Sequence, residues 1–394
     1  METQERSKML GTMEMGKLVP KVSIPIMISM LVQALYNVVD GIFVAKYSAA
    51  ALTAVSLAYP IQMLMIAVST GLGVGFNSLI SRKLGEKRAE EARDAAKNGM
   101  FTELCGYALF LVFGLLFAKP FFNLFTDDLE LQALGGEYLS IVCIFSFGLF
   151  FGICFERMMQ ATGNTVLSMA TQLTGAVINI ILDPIMIFGL LGCPAMGIAG
   201  AAIATVIGQI GGMTLGLVLN QAKNVELRLH LKGFRPNKTI LKGILDVGFP
   251  SIIMQSISSV MNVLMNMILL GFGATAVNVL GVYFKLQSFV FMPVFGLSNG
   301  LVAILGYNYG ARMRARVYDA LKVALIWACV IMLLGTIAFL LIPETLLSLF
   351  EAGNARDLTD MGVVALRVIS LSFLLAAVGI TISTLFQAVG KGMY

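Results

Sequence analysis

A single carboxylate, Asp40, lies inside an apolar run in the stretch YNVVDGIFVA. Three polar side chains, Gln33, Tyr36 and Asn37, precede it at spacings that place all four on one face of a helix. A carboxylate at the centre of a membrane span costs about 2.5–3.5 kcal/mol on insertion scales, so its presence there indicates a functional site. We therefore expect this helix face to line a polar cavity.

A second carboxylate, Asp183, lies in the apolar stretch NIILDPIMIFG, four residues after Asn179 and on the same helix face. The next residue, Pro184, lacks a backbone donor and disturbs the preceding turn, which can free carbonyl oxygens as ligands. Two carboxyl groups in one cavity can hold a proton or Na⁺ and release it when the cavity hydrates. Either acid could instead be structural and bonded to a neighbouring helix, but an Asn on the same face as each acid favours a shared site.

The elements that must position these acids are membrane spans. Of 394 residues, 58% are hydrophobic and 12% are charged, with a mean hydropathy of +0.88, whereas soluble domains carry about 25% charged residues. Ten apolar stretches are long enough to cross a bilayer as helices, and they lack the strict alternation of barrel strands. The predicted spans are 22–45, 52–80, 98–118, 133–156, 166–190, 197–220, 246–270, 277–305, 320–342 and 361–388. The fold class is therefore an all-α polytopic membrane protein.

Lys and Arg collect after spans two, six and eight, in segments 82–97, 223–242 and 312–316, while the alternate loops are short or acidic. The positive-inside rule then places the N-terminus in the cytoplasm of a multi-pass protein of the cell (inner) membrane. The same loops account for the net charge of +5, so we infer no nucleic-acid partner. The five cysteines are scattered without a CxxC pair and indicate neither a disulfide framework nor a metal site.

The sequence matches itself at an offset of 225 residues, without a gap over residues 25–97. At this offset Pro25 meets Pro250, while Met265 stands where Asp40 would be. The chain is thus predicted to contain two copies of one bundle, as parallel six-helix repeats related by an axis along the membrane normal. The scaffold is duplicated, but the buried charge is not.

The predicted organisation is an N-lobe of six spans over 1–222, a cytoplasmic linker over 223–243 and a C-lobe over 244–394. The first copy continues past the motif QATGNT at Gln160 through two more spans, whereas the sequence stops soon after the matching QAVGKG at Gln387. We therefore expect the last two helices of the C-lobe to be absent from this sequence.

Four segments carry a resemblance to the multidrug and toxic compound extrusion (MATE) family along essentially the whole chain. They are PIMISMLVQALYNVVDGIFVA, STGLGVGFNSLISRKLGEKRAEEA, QATGNT and FMPVFGLSNGLVAILGYNYGAR. The resemblance implies a secondary active antiporter that exports bulky, often cationic or amphipathic compounds through a cleft between two lobes. Inward flow of H⁺ or Na⁺ would drive the export by alternating access.

In the branch of the family whose ion site lies in the N-lobe, the coupling residues and candidate Na⁺ ligands fall on Asp40, Asn179, Asp183 and Thr205. The expected cavity or substrate residues are Gln33, Tyr36, Asn37 and Tyr138. The resemblance implies no cofactor apart from the coupling ion, H⁺ or Na⁺. The expected partners are small-molecule drugs, mainly organic cations, and membrane lipid, and the protein is expected to act as a monomer.

Other functions stay open on the sequence. A flippase for lipid-linked oligosaccharides would share the two-lobe architecture but needs several cavity-facing cations, for which only Lys285 and Arg367 are candidates, each equally compatible with a place outside the cavity. A membrane enzyme would need a convergent cluster of reactive groups, and the lone His230 lies in the linker, so an enzyme is not expected. A channel or structural membrane protein would lack the paired acids.

Overall fold

The computed structural model describes residues 4–229, 233–348 and 356–393, and all regular secondary structure in this part of the chain is helical. The α-helices are, in chain order, α1 (Gln4–Thr12), α2 (Met15–Tyr47), α3 (Ala49–Gly85), α4 (Ala89–Leu116), α5 (Ala118–Phe125), α6 (Leu129–Ile144), α7 (Phe147–Ala161), α8 (Thr165–Phe188), α9 (Gly197–Lys223), α10 (Lys238–Leu270), α11 (Ala274–Gly310), α12 (Arg314–Leu341), α13 (Pro343–Ser348), α14 (Arg356–Ser370) and α15 (Phe373–Ala388). The predicted all-α fold is confirmed. Residues 230–232, which include His230 of the predicted linker, lie outside the described residues.

Eight described helices are long and apolar enough to cross a membrane by length and composition, and two bent pairs raise the number to ten. These pairs are α6 with α7, bent by 42°, and α14 with α15, bent by 46°. The number agrees with the ten predicted spans, but the spans predicted as continuous over 133–156 and 361–388 are each broken. At both breaks a serine hydroxyl donates to a carbonyl three residues earlier, Ser146 to Cys143 and Ser372 to Ile369, in competition with helical bonding.

The 225-residue offset of the sequence reappears in the helix boundaries. Helices α3 and α11 begin and end 225 residues apart, and so do α4 and α12. The turns that follow α3 and α11 contain Lys87 and Arg312, two of the few non-glycine residues with left-handed backbone, at φ of 61° and 59°. Equivalent segments of the sequence therefore adopt the same local structure.

The first half of the chain (residues 4–229) and the second half (residues 233–393) meet along a seam where backbones approach closely. Gly75 of α3 packs against the backbone of Ile244 in α10, and Gly300 of α11 packs against Ser23 in α2. Where α3 and α11 end, a Cβ on Gly85 would meet the backbone of Tyr307. Such small residues let helices associate closely in a membrane.

We call this end of the molecule, where α3 and α11 finish and basic turns follow, the basic end. The seam is closed there, and contacts between the halves reach at least to Thr70 of α3, whose hydroxyl donates to Gln255 Oε1 of α10 at 2.7 Å. Helix α1 also bridges the halves at the basic end. Ser7 donates to Glu226 Oε1 in the first half at 2.6 Å, while Asn308 Nδ2 of α11 donates to Leu10 O at 2.9 Å.

Candidate functional site

The two predicted acids come together between α2 and α8. The carboxyl groups of Asp40 and Asp183 are direct neighbours that interact with each other. Asp183 is completely buried and Asp40 is half-buried. Two carboxylates at this separation repel each other strongly unless one carries a proton or a cation lies between them.

Asn179 connects this acid pair to α9. Its amide Nδ2 donates to Asp183 Oδ1 and to Thr205 Oγ1, both at 3.3 Å. Asn179 and Thr205 are buried, at 2% and 8% exposure. The four residues predicted as the coupling site, Asp40 included, therefore lie in one cluster built from α2, α8 and α9.

Close packing of α8 on α9 makes the contact between Asn179 and Thr205 possible. Gly175 of α8 and Gly208 of α9 face each other, and a Cβ on Gly208 would lie 2.7 Å from Gly175 O and 3.0 Å from Asn179 Cβ. Pro184 lies inside α8 without ending it, and because it has no N–H, the carbonyl of Ile180 loses its usual helical donor.

The cluster contains oxygen acceptors that no protein donor satisfies. Asp40 Oδ1, Asn179 Oδ1 and Asp183 Oδ2 are all buried atoms without a hydrogen-bond partner among the described residues. A buried polar atom without a partner costs about 1–3 kcal/mol, more when charged. A proton or a small cation at this point would supply the missing positive partner.

Two tyrosines border the acids. Tyr36 of α2 lies next to Thr205, and both Tyr36 and Tyr138 are electrostatic neighbours of Asp40 and Asp183. The Tyr138 hydroxyl, in α6, accepts a hydrogen bond from Gln62 Nε2 of α3 at 3.1 Å, with Tyr138 only 3% exposed. The site is therefore enclosed by α3 and α6 as well as by the helices that carry the cluster.

The remaining predicted cavity residues lie further out. Gln33 accepts a hydrogen bond from Gln172 Nε2 of α8 at 3.3 Å, which ties α2 to α8. Asn37 is exposed, and no hydrogen bond to the acid pair is found for it in the described structure. The structure therefore does not bring Asn37 into the cluster.

Sequence reasoning missed three glutamines around the site: Gln62, Gln172 and Gln209. Gln209 lies one turn after Thr205 on α9, and its buried Oε1 has no partner among the described residues. The spacing of four residues from Thr205 was the available signal for Gln209. Gln62 and Gln172 belong to other helices, so only the fold identifies them.

The two candidate intramembrane cations take no part in the cluster. Lys285 is exposed on α11, and Arg367 forms an exposed ion pair with Glu344 at 3.4 Å. Neither acid of the pair has a Lys or Arg among its charged neighbours in the described chain. The described residues also contain no group of three or more His, Cys, Asp or Glu side chains that could hold a metal ion.

A second buried acid, Glu103 of α4, lies apart from this cluster. It is 0% exposed and accepts a hydrogen bond from Ser69 Oγ of α3 at 2.8 Å. Its charged neighbour is the buried Arg157, not the acid pair. Ser69 lies seven residues after Gln62 on α3, about 10 Å along the helix axis.

Comparisons with known proteins agree on one family. The family model described as MatE matches residues 25–185 and again residues 250–394. The chain is 27% identical over 375 residues to the multidrug export protein MepA of Staphylococcus aureus (strain MSSA476), covering 94% of this chain and 81% of the relative. It is 26% identical over 371 residues to the protein of the same name from Staphylococcus haemolyticus, covering 94% and 80%.

Solved structures give the same result. A MOP superfamily transporter from Pyrococcus furiosus, described as having a binding pocket of reverse polarity that suggests a different function, superposes with a TM-score of 0.92. An outward-facing multidrug resistance transporter of the MATE family also superposes with a TM-score of 0.92. Each is 27% identical to this chain, and each match covers 98% of this chain and 85% of the solved one.

Proposed function

This chain belongs to the MatE family of multidrug efflux transporters, and we propose that it is an antiporter that exchanges a drug molecule for H⁺ or Na⁺. The proposed coupling site is the cluster of Asp40, Asn179, Asp183 and Thr205. Residues 1–222 and 244–394 are the proposed lobes, between which the drug would cross the membrane by alternating access.

The unsatisfied oxygens of the cluster carry this proposal. Three buried acceptors from Asp40, Asn179 and Asp183 point to a missing positive partner, and no Lys or Arg contacts the acids in the described chain. Carboxylate, amide and hydroxyl oxygens are ligands suited to Na⁺, and the carboxylates can equally take a proton. The coupling ion is cargo of the cycle, bound in one conformation and released in the other.

Exchange follows if the ion and the drug exclude each other at this site. A ligand shifts an equilibrium between conformations only by its differential affinity for them, so coupling needs the ion and the drug to prefer different states. An acid pair without a cationic partner also favours organic cations among the drugs. This places positively charged and amphipathic compounds first among the proposed substrates.

The proposed location is the cell inner membrane, with the basic end in the cytoplasm. Lys87 and Arg88 follow α3, and Arg312 and Arg314 follow α11, at the same end of the molecule. The positive-inside rule assigns such an end to the cytoplasmic side. The N-terminus, in α1, would then also be cytoplasmic, and one chain would form the transport unit.

Ethidium efflux under separately imposed Na⁺ and pH gradients tests the proposal. Wild type is expected to export under one gradient, and Asp40→Asn and Asp183→Asn are expected to lose that export while still reaching the membrane. The control Asp94→Asn alters an acid at the basic end that pairs with Lys97 at 3.1 Å, and its export is expected to continue. Undiminished efflux by both site variants would refute the assignment of the acid pair as the coupling site.

A further inference from the structure

In one group of contacts at the basic end, side chains of the first half donate across the seam to backbone carbonyls of the second half. Ser78 of α3 is fully buried, and its Oγ lies 2.6 Å from Gln387 O and 3.0 Å from Ala388 O at the end of α15. Four residues later, Arg82 Nη1 lies 3.5 Å from Val389 O, and its Nε donates back to Ser78 O at 3.3 Å. Two side chains of the first half thus contact the end of a helix in the second half.

These carbonyls are natural acceptors. The last carbonyls of a helix have no partner within it, and they form the negative end of the helix dipole. Around the end of α15, the N–H groups of Gly390 and Lys391 return to Gln387 O and Phe386 O. The single Ser78 hydroxyl donor is shared between Gln387 O and Ala388 O, and Arg82 supplies a donor to Val389 O. These backbone bonds use neither Ala388 O nor Val389 O.

The fit between Arg82 and the turn after α15 is close. Gly390 has a left-handed backbone, with φ of 83°, and a Cβ there would collide with the Arg82 guanidinium. Gly306 of α11 faces the same point, since a Cβ on it would lie 3.0 Å from Ser81 Cβ and 3.5 Å from Ala388 O. Helices α3, α11 and α15 therefore converge where Ser78 and Arg82 act.

The equivalent position in the first half is organised differently. At the 225-residue offset, Ala303 replaces Ser78 and has no donor, and Tyr307 replaces Arg82 and has no guanidinium. The end of α7 is capped from within its own half, with Asn224 Nδ2 donating to Met158 O at 3.4 Å. The contact of Ser78 and Arg82 with the end of α15 therefore has no equivalent at the end of α7 among the described residues.

We propose that Ser78 and Arg82 form a latch on the end of α15 that holds the basic end closed and must release once in each transport cycle. The inference rests on the proposed alternating access, which requires the basic end to open. It adds two residues to the transport reaction that lie outside the ion cluster and outside the drug cavity. Releasing the latch exposes the α15 carbonyls to water, which can replace the lost donors.

A reversible cross-link tests whether the latch must open. Ser78→Cys is combined with Ala388→Cys in a chain whose five native cysteines are replaced, and oxidation then joins α3 to α15. Drug export is expected to stop on oxidation and to return on reduction. The control pairs Thr336→Cys with Ser370→Cys, two positions within the second half where the Thr336 hydroxyl donates to Ser370 O at 3.1 Å, and it is expected to export in both states. If the oxidised seam pair exports the drug as fast as the same protein does after reduction, the proposal is overturned.

A second measurement detects opening of the latch through the alkylation of a buried thiol, without measuring drug export. Ala303→Cys places a thiol at a fully buried position of α11, one turn from Gly306 at the seam. Ser78→Ala and Arg82→Gln are each expected to raise the alkylation rate of this thiol by about three- to tenfold, as one lost hydrogen bond predicts. Thr336→Ala removes a buried hydroxyl that bonds within one half, and it is expected to leave the rate unchanged.

The two measurements separate the latch from the antiport proposal. Unchanged alkylation in both Ser78→Ala and Arg82→Gln would overturn the latch, whatever the export assay shows. Raised alkylation in a protein that exports under neither gradient would support the latch while refuting ion-coupled antiport.

Discussion

Replacing Asn179 with leucine distinguishes between Na⁺ and H⁺ as the coupling ion. Asn179 donates to Asp183 Oδ1 and to Thr205 Oγ1 at 3.3 Å, and leucine keeps the branch at Cγ but is larger and has no donor. A hydrogen bond to a charged group contributes about 1.5–3 kcal/mol. In the variant, the ionised form of Asp183 would lose this much stabilisation, which corresponds to about a 10- to 150-fold change in an equilibrium constant.

The sign of the change depends on the ion. If Na⁺ drives export, Asn179→Leu weakens a site that needs ionised Asp183 and loses an amide oxygen, so half-saturating Na⁺ rises by at least about tenfold. If H⁺ drives export, the variant disfavours release of the proton, so the pH of half-maximal export moves upward by about one to two units. The measurement is ethidium efflux against Na⁺ concentration and, separately, against pH.

A matched substitution controls for the loss of an asparagine. Asn37→Leu makes the same chemical change on α2, at an exposed position three residues before Asp40. Its Na⁺ and pH dependence should match wild type even if its drug preference changes. An Asn179→Leu transporter with the ion dependence of wild type would show that the Asn179 hydrogen bonds do not tune the coupling site, and the reasoning would fail.

Three further predictions concern other contacts in the structure. Gly208→Ala puts a Cβ against the backbone of α8 and should lower stability by about 1–3 kcal/mol, seen as a lower melting temperature in detergent, while Gly41→Ala, with no atom within 4 Å of its Cβ, should not. Burial raises the pKa of Glu226 above 4.5, and the Ser7 hydrogen bond opposes this shift. The folded state therefore holds the Glu226 proton more tightly than the unfolded state does. Docking of α1 should weaken as the pH rises through that raised pKa. Glu226→Gln should remove this pH dependence from amide exchange in α1. Arg367→Gln breaks only an exposed ion pair, which contributes about 0–1 kcal/mol, so it should change neither the melting temperature nor drug export. A loss of export in this variant would favour the flippase hypothesis instead.

The spans were predictable because a membrane helix is a property of a single segment. About 20 apolar residues in sequence suffice to identify it, and ten such stretches match the structure at the level of number and order. The bends at 145–146 and 371–372 were not predictable in this way. Their sequence contains neither Pro nor Gly, and the hydroxyl bonds of Ser146 and Ser372 to the chain are seen only in the structure.

The site was only partly predictable because it is a property of several helices at once. The pairing of Asn179 with Asp183 follows from a spacing of four residues on one helix, and it holds in the structure. That Asp40 would reach Asp183 follows from no local pattern, since α2 and α8 are separated by more than 100 residues. Thr205 was assigned by resemblance alone, and its contact with Asn179 depends on the close approach of Gly175 to Gly208.

Helix α3 links the two features that distinguish the halves. Near one end, Gln62 bonds to Tyr138 beside the acid pair, and near the other, Ser78 bonds to the end of α15. These positions are sixteen residues apart on one helix, about 24 Å along its axis. A shift of α3 that follows a change of charge at the acids would therefore also act on the latch. The acids and the latch donors both lie in the first half, and the second half has Met265 and Ala303 at the positions equivalent to Asp40 and Ser78. The proposed ion binding and the proposed release of the latch would therefore both depend on residues of the first half.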